Sequence, residues 1–148
     1  MMRGELLVAV VDGQGGGIGK AVVTQLRRVL PELTILALGS NSIATAAMMK
    51  AGASAGATGE HAVVYNCTWA ERNDVIVGAQ GICLAGGMLG EISAEMAAAV
   101  AESRAKKLLV PTSACGVCVL GVREAPLGEY LAELTERLRA EVENQSEI

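Results

Sequence analysis

The chain has 148 residues, of which 51% are hydrophobic and 19% charged, with a formal net charge of −4. This length fits a single domain, residues 1–148, and the apolar content excludes an intrinsically disordered chain. Only three residues are aromatic, and Lys and Arg do not cluster beyond adjacent pairs. Because nucleic-acid binding relies on concentrated positive charge and aromatic stacking, no nucleic-acid partner is expected.

Apolar runs and helical patterns alternate along the chain. Six short runs are predicted as strands, at residues 6–11, 34–38, 62–65, 74–78, 107–110 and 117–122. The runs are mainly apolar rather than alternating, which is typical of parallel strands covered on both faces. Helices are predicted from near Gly17, over 41–52, over 91–103 and from Leu127 to about Val142. This alternation predicts an α/β fold, a Rossmann-like three-layer sandwich with a mostly parallel sheet of about five or six strands.

The loops after the predicted strands are the expected ligand-binding region. Right-handed crossovers would bring the loops after residues 11, 38, 65, 78 and 110 to the carboxyl edge of the sheet, where open α/β sheets bind ligands. Asn66 follows the predicted strand 62–65 and is therefore expected at this edge. There it would either hydrogen-bond a ligand or terminate its strand through an Asx turn.

The stretch VVDGQGGGIGKAV, residues 10–22, places five glycines within seven residues, between a predicted strand and a predicted helix. Glycine lets a ligand approach the backbone, and the first N–H groups and the dipole of a helix attract an anion. The alternative is a tight turn without a ligand. We interpret the loop as a site for a phosphate-bearing ligand, formed by Asp12, Gly13, Gln14, Gly15, Gly16, Gly17, Ile18 and Gly19, with Gly39, Ser40, Asn41 and Asn66 as further candidate contacts.

The spacing of Gly13, Gly17 and Gly19 fits the pattern G-x-x-x-G-x-G. In this form DGQGGGIGKA resembles the cofactor loop of short-chain dehydrogenases, which implies NAD(P) as the ligand. The Tyr-x-x-x-Lys pair of that family has no counterpart, because Trp69 and Leu134 stand at the lysine positions after the two tyrosines. NAD(P) or another nucleotide therefore remains the cofactor class that the loop suggests, without a dehydrogenase reaction.

A phosphate-loop NTPase matches only in part. The pattern G-x-x-x-x-G-K-[ST] fits Gly19 and Lys20, but Gln14 stands at its first glycine and Ala21 at its hydroxyl position. That hydroxyl is the usual Mg²⁺ ligand of such loops, so ATP hydrolysis is the second choice.

Over its full length the chain resembles a family of small uncharacterised bacterial-type proteins, a domain of unknown function. The matching segments are VDGQGGGIGK, ALGSNSIATAAMMKAGASAGATGE, YNC and MLGEIS, in this order. The resemblance implies no activity, and it adds only that loop positions belong to the family pattern.

The remaining chemistry-bearing residues favour structural roles. His61, the only histidine, is expected on the surface at the amino end of the strand 62–65, away from the glycine loop. Cys115 and Cys118 have the C-x-x-C spacing of redox and zinc sites. A redox pair needs a helix N-terminus and a zinc site needs further ligands, whereas Cys118 is expected to pack in the core as part of the strand 117–122.

The sequence thus predicts a module with a binding or regulatory role, and leaves open whether it catalyses a reaction. One alternative is an enzyme acting on a nucleotide or sugar phosphate, with Asp12 or Glu91 as the acid–base group, and another is a ligand-free structural or partner-binding protein. No metal site is predicted. The first apolar run ends at Asp12, too early for a signal peptide or membrane span, so a cytoplasmic location is expected. A homodimer is the default assembly.

Overall fold

The computed structural model describes residues 5–112 and 115–146. Within them a single sheet has five strands, β1 (Leu7–Asp12), β2 (Thr34–Gly39), β3 (Ala55–Thr58), β4 (Val75–Ala79) and β5 (Lys106–Val110). The helices are α1 (Gly17–Val29), α2 (Ser42–Ala51), α3 (Glu60–Trp69), α4 (Ala94–Glu102) and α5 (Leu127–Ser146), with a 3-10 turn over Gln80–Cys83. In this part of the chain, no helix combines the length and apolar character that crossing a membrane requires.

The core has two apolar layers, one on each face of the sheet. Val8 and Val10 of β1 belong to a buried cluster with residues of α1, α2 and α5. Ala9 and Val11, which alternate with them, pack in a second cluster with residues of α3 and α4. Because successive side chains of a strand point to opposite faces, a central strand covered on both sides must be continuously apolar. The predicted three-layer α/β sandwich is confirmed.

The strand order β3-β2-β1-β4-β5 places a topological switch point between β1 and β4. All the strand pairs are parallel. The chain runs from β1 outward to β3, then crosses back over the sheet to β4 on the other side of β1. The loops after β1 and β4 therefore leave toward opposite faces and open a crevice at the carboxyl edge, the usual ligand position in such sheets.

Two helix starts at this edge are capped by polar side chains. The Asn41 side chain accepts a hydrogen bond from the Ala44 amide at 2.9 Å, and α2 begins one residue after Asn41. Ser93 accepts in the same way from the Met96 amide at 3.2 Å and starts α4. Each cap satisfies one of the free N–H groups of a first helical turn.

The prediction of a strand at 62–65 is wrong, because these residues lie within α3. Val63 and Cys67 are buried and four residues apart, a helical spacing that the short apolar run conceals. The strand actually present is β3, whose sequence AGAT carries one β-branched residue, Thr58, and no aromatic one, so its strand signal is weak.

The prediction of a strand at 117–122 is also wrong. This stretch is neither helix nor strand, and Gly116 (φ 70°) and Gly121 (φ 89°) adopt left-handed conformations that an extended strand does not contain. Leu120 is 92% exposed, and Cys118 lies on the surface rather than in the core. This apolar run, with one positive-φ glycine before it and another within it, therefore forms an exposed loop.

Candidate functional site

A buried carboxylate, that of Asp12, holds the first loop, which connects β1 to α1. The two oxygens of Asp12 accept hydrogen bonds from the amides of Gly13 at 2.8 Å and Gly19 at 2.6 Å. These bonds tie the beginning of the loop to the first turn of α1. Burial raises the pKa of Asp12, the two amide hydrogen bonds lower it, and the negative charge of Glu91 raises it, with a net upward shift.

A second carboxylate closes the loop from the other side of the crevice. Glu91, in the connection between β4 and α4, accepts hydrogen bonds on Oε1 from Ser40 Oγ at 2.7 Å and Asn41 Nδ2 at 2.8 Å. Both of its oxygens also lie within 3.1 Å of the Gln14 amide nitrogen. The Gln14 amide, Ser40 and Asn41, in decreasing order of effect, hold the pKa of Glu91 below its ordinary value.

The end of β2 lies directly beside the first loop. The Ser40 amide donates to the Asp12 carbonyl at 2.9 Å, and Asn41 Nδ2 donates to the Gln14 carbonyl at 3.0 Å. The structure therefore brings together Asp12 to Gly19 with Gly39, Ser40 and Asn41, all predicted as site residues. The sequence suggests Glu91 only as an acid–base candidate and does not predict its contact with the loop. The signal was its position in the loop after β4, which parallel topology brings to the same edge.

The glycines of the first loop fall into two groups, a packed side and an open side. The packed side consists of Gly13, Gly16 and Gly19, where a Cβ atom would lie 2.7 Å from Ser40 Oγ, 2.9 Å from Ala44 Cα and 2.5 Å from Met48 Sδ, respectively. The open side consists of Gly15 and Gly17, where a Cβ atom would meet nothing within 4 Å. Close packing therefore explains the first group and leaves the second unexplained.

The open side also presents backbone donors. The Gly16 amide donates to the Gly13 carbonyl at 2.9 Å, but no acceptor from the described residues faces the amides of Gly15, Gly17 or Ile18. Gly17 and Ile18 start the 13-residue helix α1, whose N-cap residue, Gly16, supplies no side-chain acceptor, and the Asp12 carboxylate accepts only from the third helical amide, that of Gly19. Their N–H groups and the positive end of the helix dipole point the same way, so this surface can bind an anionic oxygen.

Asn66 does not follow a strand, so the argument that predicts it at the carboxyl edge of the sheet does not apply. It lies in α3, where its Nδ2 donates to the Ala62 carbonyl at 2.8 Å, one helical turn earlier. His61 is the second residue of the same helix, which starts after the carboxyl end of β3, so its expected position at the amino end of a strand is wrong. The His61 ring is exposed and lies 6.0 Å from the Tyr65 ring.

The cysteines do not form the sites that their spacing suggests. All four are free thiols, and no helix begins at Cys115 or Cys118. Burial raises the pKa of Cys67 to about 11, despite the opposing charge of Lys107, so this thiol is unreactive at neutral pH. Across residues 5–112 and 115–146, no three His, Cys, Asp or Glu side chains are grouped as a metal site requires.

An open cleft of about 930 Å³ lies away from the glycine loop, between β5, residues 119–126 and α5. Its lining mixes apolar side chains with cations such as Arg123 and carboxylates such as Glu129. The Tyr130 hydroxyl shapes one wall by accepting from the Ala125 amide and donating to the Arg123 carbonyl. The lining of the cleft therefore carries charges of both signs.

The chain belongs to the family described as "Domain of unknown function (DUF3842)", whose profile matches residues 7–143. This finding confirms the resemblance to a family of unknown function. No relative was found among curated proteins. A solved structure similar to this chain is a dodecameric FMN-dependent Ubix-like decarboxylase from Escherichia coli O157:H7, 17% identical, with 92% of this chain and 76% of that chain covered and a TM-score of 0.41. At this level of similarity, the ligand and assembly of that enzyme are not transferred to this chain.

Proposed function

We propose that this member of a family of unknown function binds a phosphate-bearing ligand, such as a nucleotide or dinucleotide, at the open side of its first loop. The observation that carries the proposal is the set of three backbone N–H groups, at Gly15, Gly17 and Ile18, with no protein acceptor among the described residues. Two of the three belong to glycines with open space at the Cβ position. Phosphate oxygens accept such N–H groups at helix N-termini.

The position of these groups in the fold supports the same proposal. They lie at the switch point between β1 and β4, and Gly39, Ser40 and Asn41 form the neighbouring wall. A nucleotide whose phosphate binds at Gly17 can extend along this wall. NAD(P) and other nucleotides all carry a phosphate that could bind in this way, so a ligand screen should include several of them.

The role that the site favours is binding or regulation. Asp12 and Glu91 are the carboxylates nearest to the loop in the described contacts, and both serve as acceptors for loop amides. An enzyme acting on a nucleotide or sugar phosphate is the second candidate, favoured by the raised pKa of the buried Asp12, since perturbed carboxyl groups occur at catalytic sites. Loss of turnover in Asp12→Asn with ligand binding retained would favour this second candidate.

A thermal-shift screen against NAD, NADP, ATP, GTP, FMN and inorganic phosphate tests the proposal. A ligand at a hundred times its Kd adds about 2.7 kcal/mol of stability, which raises the midpoint of unfolding visibly. Gly17→Asp places a negative charge on the open side and should abolish this shift. Gly128→Asp is the matched control, because Gly128 is also an open glycine in the first turn of a helix, α5. A shift that survives in Gly17→Asp would contradict the site assignment.

The proposal includes three further predictions that follow from the sequence. The whole chain, residues 1–148, forms one domain, the protein is located in the cytoplasm, and it assembles as a homodimer. Sedimentation of the purified chain would measure its assembly directly.

A further inference from the structure

Donors at the end of β2 and in the loop after β1 already bind an anionic side chain of the protein itself. The Glu91 carboxylate accepts from the Ser40 hydroxyl, the Asn41 amide group and the Gln14 backbone N–H, all within 3.1 Å. Two side-chain donors and one backbone N–H around one carboxylate form the kind of set that binds a phosphate oxygen. We refer to the donors of Gln14, Ser40 and Asn41 as the outer subsite.

The outer subsite adjoins the open side of the loop. Gln14 precedes Gly15, and the Asn41 side chain holds the Gln14 carbonyl at 3.0 Å. A ligand with one anionic group can therefore use the amides of Gly15, Gly17 and Ile18 without touching Glu91. A ligand with a second anionic group directed toward Ser40 meets the carboxylate, which opposes it by volume and by like charge.

The segment that carries Glu91 has a strained backbone, which hydrogen bonds within the segment hold in place. Met88 and Leu89 both adopt left-handed conformations with φ 56°, which non-glycine residues rarely adopt. Hydrogen bonds close the segment on itself, from the Gly86 amide to the Ile92 carbonyl at 2.8 Å and from the Ile92 amide to the Gly87 carbonyl at 3.1 Å. Strained backbone held in this way is typical of functional loops.

The Glu91 side chain is attached to this closed loop but is not buried in it. Its carboxylate is partly exposed, whereas the next residue, Ile92, is fully buried. Rotation of the Glu91 side chain can therefore open the outer subsite while the backbone of the segment remains anchored.

We propose that Glu91 is a latch, an internal anion that fills the outer subsite and that a ligand with two linked anionic groups, such as a diphosphate, displaces. This inference rests on the proposed function in one respect, namely that the first anionic group binds at Gly15, Gly17 and Ile18. It adds the substrate class and a specificity-determining residue. Glu91 disfavours the binding of diphosphate ligands while it fills the outer subsite. When the Glu91 side chain leaves the outer subsite, a diphosphate can bind.

Calorimetric titrations with inorganic phosphate and pyrophosphate test the latch. Glu91→Ala removes both the charge and the volume, and Glu91→Gln removes the charge alone. Glu95→Ala is the matched control, since Glu95 is an exposed carboxylate in the first turn of α4. Circular dichroism establishes that each variant is folded before the titrations are compared.

The latch predicts that Glu91→Ala binds pyrophosphate about tenfold more tightly than the wild type does. Its affinity for phosphate should also increase, but by a factor several times smaller. Glu91→Gln should lie between the two proteins, and Glu95→Ala should match the wild type. Equal gains for phosphate and pyrophosphate, or no gain, would overturn the latch and leave the proposed function standing. Absence of binding by every one of the four proteins would overturn both.

Discussion

Gly15 and Gly16 are neighbours in the chain, but the structure uses them differently. Gly16 has a φ of 74°, and a Cβ atom there would lie 2.9 Å from the backbone of α2, so the fold itself requires glycine. Gly15 faces open space and is not at positive φ. The comparison of the packed and open sides shows that a glycine-rich motif combines two requirements, packing of a helix against its neighbours and access for a ligand.

The largest expected effect is the loss of stability on the packed side. Gly16→Ala adds a methyl group at positive φ against backbone atoms and should destabilise the protein by about 2–4 kcal/mol. Gly15→Ala adds the same methyl group one residue earlier and should change the free energy of unfolding by less than about 1 kcal/mol. Urea denaturation of both variants measures the difference. Equal losses of unfolding free energy in the two variants would show that Gly15 and Gly16 are packed alike.

The next effect concerns the buried carboxylate of Asp12, which accepts hydrogen bonds from Gly13 and Gly19 of the packed side. Asp12→Asn replaces one accepting oxygen by an NH₂ group, which then faces an amide N–H as a second donor. This mismatch should cost about 1–3 kcal/mol of stability. Glu91→Gln, at the more exposed carboxylate, should cost less, because water can satisfy its donors. The order of the two midpoints in urea tests this, and a reversed order would contradict the assigned roles.

On the open side, a negative charge should increase the stability of the folded protein and abolish the binding of the phosphate-bearing ligand. Gly17→Asp places a carboxylate at the first position of α1, where the helix dipole favours it by about 0.3–1 kcal/mol. The same carboxylate occupies the proposed phosphate position. Calorimetry with whichever ligand gives a thermal shift should therefore show loss of binding by a protein at least as stable as the wild type. Lower stability would mean that Gly17 belongs to the packed side.

The smallest effect is the pH dependence, in which the two carboxylates act in opposite directions. The pKa of Glu91 is lowered in the folded state, so its contribution is present above its unfolded value near 4.5 and is lost as the pH falls through the folded value. The pKa of Asp12 is raised, so its contribution is present below 3.8 and is lost as the pH rises through the folded value.

Unfolding free energies measured between about pH 3 and 7 would separate the two groups, because this range includes the ordinary pKa values of the two carboxyl groups, 3.8 and 4.5. Relative to the wild type, Glu91→Gln should lose less stability on acidification, and Asp12→Asn should lose more. Parallel pH profiles for all three proteins would contradict the assigned directions.

Much of the fold follows from sequence patterns that depend on local physics. β1, β2 and β4 are mainly apolar runs because the sheet is covered on both faces there, and the edge strand β5 has a shorter apolar run after two lysines. The apolar pattern predicts each of the four within one or two residues. The proximity of Asp12 to Ser40 and Asn41 follows from the rule that the carboxyl ends of parallel strands meet at one edge.

The elements that sequence analysis missed depend on tertiary context. β3 is recognisable only by its pairing with β2, since its small residues resemble a loop. The run 62–65 is apolar because α3 packs against the sheet and α4, and its length does not distinguish a helix from a strand. The split between open and packed glycines depends on atoms of Ala44 and Met48, more than twenty residues away, which no local pattern contains.

The most direct test of the central claim is an amide chemical-shift titration of the ¹⁵N-labelled protein with inorganic phosphate and then with the ligand that gives the largest thermal shift. Glycine amides resonate in a distinct region, so the loop can be followed residue by residue. The account predicts that the amides of Gly15, Gly17 and Ile18 move most and saturate together, while that of Gly128 stays in place. Saturating binding that leaves these three amides unmoved would contradict it.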